Sequence, residues 1–232
     1  LQKFLDWAGP DAELAEWGLD DVPVLKQNLF LVGLDERWPE RWYDLQRIFL
    51  KSYPRKEGEG MTLESVVDRL GIPKEEPFHN ALDDALYTAR ICRKLPLAEG
   101  LATYPTDEEL LREALLGDDT AAKDVQVFMD RLEHDDYRNA PELNTVHCPE
   151  CGALLTHDEV WLKRGNTGYY TRSTCPYRGH WYVRFKLSRR DGLHWSFARC
   201  TDPATPEADA RWNKQRAAFV ERMKRKKERE QE

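Results

Sequence analysis

The hydrophobic pattern changes period partway along this 232-residue chain, so no single repeating architecture accommodates both halves. In the first half apolar residues recur at helical spacing. Leu45, Ile48, Phe49 and Leu50 do so within Leu45–Tyr53, and Leu63, Val66, Val67 and Leu70 follow Thr62 until Gly71-Ile72-Pro73 stops the run. Asp20-Asp21 opens a helix-like stretch with Pro23 in its first turn, and Val24, Leu25 and Leu29 lie behind it. A short apolar, strand-like run at Leu14–Trp17 and a short aromatic segment at Arg41–Asp44 precede these helices. His79–Leu95 reads as a further helix, and Thr106–Leu116 and Thr120–Glu133 as two acidic ones about Gly117-Asp118-Asp119.

From Asn144 to Cys200 the chain turns to Tyr, Trp, Thr, Val and Arg. Turn residues at Gly152, Gly165-Asn166, Gly168 and Asp191-Gly192 mark short antiparallel hairpins. Thr201–Pro206 is a linker to a charged helix over Glu207–Glu232, whose apolar residues are Trp212, Phe219, Val220 and Met223. The pattern predicts an α/β chain in four parts: an α/β domain over 1–100, an acidic helical linker over 101–140, a small β domain over 141–200 and a charged helix over 201–232.

A chain with 41% hydrophobic residues and 8 Trp, 9 Tyr and 8 Phe buries a core and is not a disordered segment. No apolar stretch approaches the roughly 20 residues that cross a bilayer, and Leu1–Asp20 carries no secretory signal. The expectation is a cytoplasmic protein without a membrane partner, and the non-Met start points to a piece of a longer reading frame. Residues 1–140 hold 30 of the 42 acidic side chains and 17 of the 35 basic ones. Such an acidic part binds nucleic acid only when divalent cations offset its carboxylates, whereas the basic remainder can contact phosphates directly.

Cys148-Pro149-Glu150-Cys151-Gly152 brings two thiolates into one tight turn, with a Gly that relieves the backbone. A second half follows at Cys175-Pro176-Tyr177-Arg178-Gly179-His180-Trp181. Two such knuckles joined by hairpin-like sequence resemble a zinc ribbon, in which the fourth ligand stands three residues after the third. Arg178 occupies that place and cannot bind zinc. The expected set is therefore Cys148, Cys151, Cys175 and His180 around a structural Zn²⁺, with His147, His157 and Cys200 as weaker candidates. Cys92, on the apolar face of its helix, reads as a buried structural thiol. Aromatics alternate with arginines through Tyr169-Tyr170, Arg172, Trp181-Tyr182, Arg184-Phe185 and Trp195, either to stack bases or to fill a small core. The core reading is preferred for most of the rings, with the arginines exposed. Lys224–Lys227 reads as a solvated helix end.

His79 lies five residues ahead of Asp84 in Phe78-His79-Asn80-Ala81-Leu82-Asp83-Asp84-Ala85, with Thr88-Ala89-Arg90 following. A base beside a carboxylate metal ligand suits metal-assisted phosphodiester hydrolysis. This stretch resembles the third motif of the DEDDh 3′→5′ exonucleases. Glu16-Trp17-Gly18-Leu19-Asp20-Asp21-Val22-Pro23-Val24-Leu25 resembles their second motif, in the variant with Trp-Gly and an Asp three residues after the Gly. Trp42-Tyr43-Asp44-Leu45-Gln46 and Leu63–Ile72 resemble the intervening segments, so order and spacing agree over about residues 1–95.

The resemblance implies the C-terminal part of a ribonuclease H-like exonuclease domain that removes nucleotides from 3′ ends of RNA or single-stranded DNA. It implies two divalent cations, Mg²⁺ or Mn²⁺, held by Asp21 and Asp84, with His79 as general base. Asp20 and Asp44 read as helix caps, and Asp83 faces elsewhere. The family's first motif, an Asp-x-Glu ending an apolar strand, has no counterpart here. Asp11-Ala12-Glu13 follows Gly9-Pro10 and reads as loop. These residues by themselves are thus expected to show little activity. The alternative is a catalytically inactive scaffold that binds nucleic acid or protein through its ribbon.

Overall fold

Asp44, Thr62 and Asn80 each stand just ahead of an apolar-periodic run, and each side chain accepts a backbone N–H in the first turn of the helix that follows. They define the first of two compact units in a computed structural model that describes residues 1–55, 57–117, 122–131, 133–189 and 193–230. The first unit is built on Leu1–Pro105, the second on Thr106–Arg190 and His194–Glu232. Asp118, Asp119, Thr120, Asp191 and Gly192, which entered the turn and helix expectations above, lie outside the described residues. Both units together are a mixed α/β chain, as the pattern predicts.

The first unit runs α1 (Gln2–Ala8), β1 (Glu13–Glu16), α2 (Asp21–Leu31), β2 (Arg41–Asp44), α3 (Leu45–Ser52), α4 (Leu63–Arg69), α5 (Ala81–Cys92) and α6 (Leu97–Ala102). Strands β1 and β2 pair in parallel, Glu13 opposite Arg41 and Glu16 opposite Asp44. Leu45, Ile48 and Phe49 of α3, Val66 and Val67 of α4, and Tyr87 and Ile91 of α5 meet in one core. Those of α3 and α4 are residues at the helical spacing noted above. Gly100 lets α6 lie close to α3, since an added Cβ would stand 2.4 Å from Ile48 Cγ2.

The second unit runs α7 (Asp107–Leu116), β3 (Asp124–Arg131), α8 (Asp136–Asn139), α9 (Pro141–Asn144), β4 (Thr156–His157), β5 (Leu162–Lys163), β6 (Gly168–Cys175), β7 (Gly179–Ser188), β8 (Trp195–Pro203) and α10 (Pro206–Glu230). Its sheet is antiparallel, ordered β3-β8-β7-β6-β4, with β5 also pairing β6. Among the described residues of Thr120–Glu133 the expected acidic helix is not found. Its described part is strand β3, in which Val125, Val127 and Phe128 pair along β8. β-branched residues at period two outweighed the acidic composition once a neighbouring strand supplied hydrogen bonds. From Thr106 on, the segment read as a helical linker therefore belongs to the second unit.

Trp212 is completely buried on α10, against Leu162, Tyr170 and Tyr182. It is the ring that fastens an otherwise polar helix. Trp212→Ala is expected to cost about 3–5 kcal/mol in stability, read as a lower denaturant midpoint of the second unit. An unchanged midpoint would show that α10 is held by other contacts.

Candidate functional site

A cavity of about 1140 Å³ opens in the first unit, and Glu16, Trp17, Asp21, Trp42, His79 and Asp84 are among its lining residues. Strand β1 delivers Glu16, the first turn of α2 delivers Asp21, and α5 delivers Asp84. His79 does not sit on the helix with Asp84, contrary to the expectation of a helix from His79. Asn80 caps α5, and His79 precedes it with φ 70°, a left-handed conformation that non-glycine residues adopt rarely. Its backbone N–H donates to Asp84 Oδ1 at 3.3 Å, which ties that carboxylate to the main chain at His79. His79 is exposed, Asp84 half-buried and Asp21 exposed. Asp83 does not line the cavity. Asp44 caps α3, its carboxylate accepting the Gln46 N–H at 2.8 Å.

Asp20 stands at the cap position of α2 but its side chain makes no capping bond. Glu16 takes that role: its Oε2 accepts the Asp21 N–H at 3.1 Å. Glu16 Oε1 is buried without a hydrogen-bond partner. Burial, and then contact with Asp21, push the Glu16 carboxyl up to about 7. Glu16 is the residue that sequence reasoning missed, although it was quoted within the second-motif stretch; the signal was its place at the end of a strand five residues before Asp21. Asp11 lies in a turn and Glu13 opens β1, where it accepts a hydrogen bond from the Tyr43 hydroxyl at 3.2 Å. Neither faces the cavity.

The sign of the resulting pH effect is fixed by the direction of the shift. An unfolded Glu ionises near 4.5, whereas folded Glu16 retains its proton to about 7. Between those values the folded state holds the extra proton, so stability is fullest below the unfolded value and declines as pH rises through the window. Glu16→Gln is expected to flatten that decline, compared as urea midpoints at about pH 5 and about pH 7.5. A decline of the same size in the variant would remove Glu16 as its source.

In the second unit Cys148, Cys151 and Cys175 bring their sulfurs within 4.8 Å of one another. Gly152 at φ 73° closes the first turn, with Gly152 N–H on Cys148 O at 2.9 Å and Cys148 N–H on Ala153 O at 2.8 Å. Cys175 accepts the Tyr177 N–H at 3.4 Å and lies 3.5 Å from Cys151 Sγ. Burial opposes ionisation of Cys175, yet the Tyr177 N–H and the neighbouring thiols hold its thiol below the usual range. Three converging sulfurs, one receiving a backbone N–H, fit a soft cation such as zinc.

His180 is not in this cluster. It lies on β7 opposite Thr174, and its Nε2 hydrogen-bonds Asp209 Oδ1 of α10 at 2.7 Å. The antiparallel register carries it past the thiols to the helix. His157 bonds Ser173 Oγ at 2.6 Å and Asn144 O at 2.8 Å, and burial depresses its pKa. His147 pairs with Leu154, and Cys200 is buried in β8 beside Arg184 and Val125. Cys92 is only half-buried, at the end of α5, where it lines the cavity. The described residues hold no other group of three His, Cys, Asp or Glu ligand atoms that close together. Asp21, Asp84 and His79 share a cavity without converging so tightly.

Tyr170, Trp181, Tyr182 and Phe185 are buried and fill the core, as the core reading expected. Arg184, read as exposed, is buried, and Arg199 is buried as well. Arg184 pairs with Asp202 at 2.5 Å, and Arg199 donates to Leu143 O and to Gln126 Oε1, each at 2.5 Å. Among the described residues no helix is long and apolar enough to cross a membrane. Comparison with protein-family models, with curated proteins and with solved structures found no match.

Proposed function

We propose that the first unit is the C-terminal part of a ribonuclease H-like, DEDDh-type exonuclease domain, acting on 3′ ends of RNA or single-stranded DNA. One observation carries this reading: Asp21 and the His79–Asp84 segment, far apart along the chain, line a single cavity. At about 1140 Å³ it exceeds the roughly 300–1000 Å³ of ordinary ligand sites, which leaves room for more than one nucleotide. Trp17 and Trp42 line it as well, and indole faces stack bases without regard to sequence.

Asp21 and Asp84 are hard oxygen donors and would hold Mg²⁺ or Mn²⁺. A bound divalent cation supplies charge neutralisation at the phosphate. His79 accepts the proton of the attacking water, and its exposed ring then exchanges that proton with solvent. Asp84 accepts the backbone N–H of His79, so the residue that would hold the cation also anchors the main chain that carries the base.

The cysteine cluster is proposed to hold a structural Zn²⁺ through Cys148, Cys151 and Cys175. Five cysteines, three gathered as metal ligands, favour a reducing compartment, here the cytoplasm. A second reading is favoured by a specific observation: the three sulfurs converge and the carboxylates do not. On that reading the nuclease-like unit is an inactive scaffold, and the zinc-bearing unit binds nucleic acid or protein.

Titration with Mn²⁺, followed by its electron paramagnetic resonance signal, separates the two. The exonuclease reading expects a saturable Mn²⁺ site that disappears in Asp21→Asn and in Asp84→Asn. Identical Mn²⁺ binding by parent and variants would favour the scaffold.

A further inference from the structure

A second, smaller pocket of about 190 Å³ lies within the second unit, with Arg164, Arg211, Tyr170, Tyr182, Gln215 and Asp202 among its lining residues. The chain builds it from two directions. Arg164 directly follows β5, where its N–H donates to Gly168 O at 2.8 Å and closes the hairpin into β6. Arg211 precedes Trp212, the fully buried anchor of α10, and so is carried to the pocket by the same packing that fixes the helix. Both guanidiniums are exposed, and neither has a carboxylate partner among the described residues. Both lie near enough to Tyr170 to oppose the rise that burial imposes on its hydroxyl.

Among the other polar groups, the Gln215 amide is left to donate. The Tyr170 hydroxyl donates to Gln215 Oε1 at 2.7 Å, which uses the carbonyl end of that amide and leaves its NH₂ as a donor. Asp202 is the one carboxylate in the lining, and it is spent on buried Arg184, with contacts of 2.5 and 3.3 Å. His180 and Tyr182 likewise occupy Asp209, each at 2.7 Å. The pocket thus keeps two unpaired forked cations and an amide donor over a tyrosine floor, with its anions already compensated.

We propose that this pocket binds a phosphate group, gripped by Arg164 and Arg211 with Gln215 as the third donor. Guanidinium forks match phosphate oxygens in pairs, and the volume suits one phosphate with part of the group it esterifies. The phosphate can come from a free anion or nucleotide, or from the backbone of a single strand. The inference does not rest on the exonuclease reading, because every lining residue belongs to the second unit.

The test titrates the full chain, at constant ionic strength, with inorganic phosphate, adenosine monophosphate and a fluorescein-labelled oligothymidylate. Saturable binding of at least one is expected, weakened about tenfold or more in Arg164→Gln and in Arg211→Gln. Lys214→Gln, exposed on the same helix and outside the pocket, is expected to leave it unchanged. Arg164→Lys and Arg211→Lys keep the charge and lose the fork, so intermediate affinity is expected. Oligonucleotide binding competed by inorganic phosphate identifies a strand as the source; binding of the small anions alone identifies a free one. The proposal is overturned if none of the three saturates below about 10 mM, or if both Arg→Gln variants bind as the parent does.

Discussion

In the product of the natural reading frame, His79→Asn and Asp84→Asn are each expected to slow 3′ trimming by about two to four orders of magnitude, the usual worth of a general base or a charged ligand. Asparagine is the informative replacement at both places. At position 79 it tolerates the left-handed backbone, φ 70°, better than alanine does, and it removes the base. At position 84 it keeps an oxygen acceptor for the His79 N–H and removes only the charge. Folding should therefore be near parental in both, which separates a chemical loss from a structural one. Melting transitions within a few degrees of the parent, with trimming lost, are the expected pair of results. Trimming that survives both substitutions would detach the cavity from the reaction.

Loss of zinc should be the other large effect. The three sulfurs are proposed to hold one ion per chain, and structural zinc contributes on the order of 10 kcal/mol of apparent folding free energy in small domains. A chelator strong enough to strip the ion is expected to lower the unfolding temperature of the second unit by tens of degrees or to abolish its cooperative transition. Two variants resolve the origin. Cys148 is buried in the core, so Cys148→Ser both removes a ligand and buries a hydroxyl. Cys151 is exposed, so Cys151→Ser should lose zinc with little direct damage to packing. His180→Ala is expected to retain the metal, because its imidazole is committed to Asp209. Zinc measured per chain after dialysis checks all three. Substoichiometric zinc in the parent, with melting indifferent to chelator, would leave the cluster a set of thiols.

What could be read from the sequence was mostly local. The helices containing Leu45–Phe49, Val66–Val67 and Tyr87–Ile91 follow apolar spacing behind a capping Asp, Thr or Asn, and both signals are carried by a few adjacent residues. The Cys148–Cys151 turn is equally local. What was illegible depended on partners far along the chain. Strand β3 exists because β8 lies beside it, more than sixty residues on, and its acidic composition resembled a helix until then. The place of His180 was set by strand register, which carries it to Asp209 rather than to the thiols. Arg184 and Arg199 are buried because Asp202, Gln126 and the Leu143 carbonyl meet them there. The role of Glu16 required knowing that β1 ends where α2 begins to turn back. His79, Asp84 and Asp21 were named from the sequence alone, and the cavity brings them together.

The most direct test is a single-nucleotide-resolution assay of the product of the natural reading frame. Single-stranded RNA and DNA carrying a 5′ label are incubated with Mg²⁺ or Mn²⁺. The expected result is a ladder that shortens stepwise from the 3′ end, vanishes on chelation of the divalent cation, and is lost in Asp84→Asn. A label that stays at full length under every condition, or internal cuts independent of the cation, would contradict the assignment of the Asp21–His79–Asp84 cavity as an exonuclease centre.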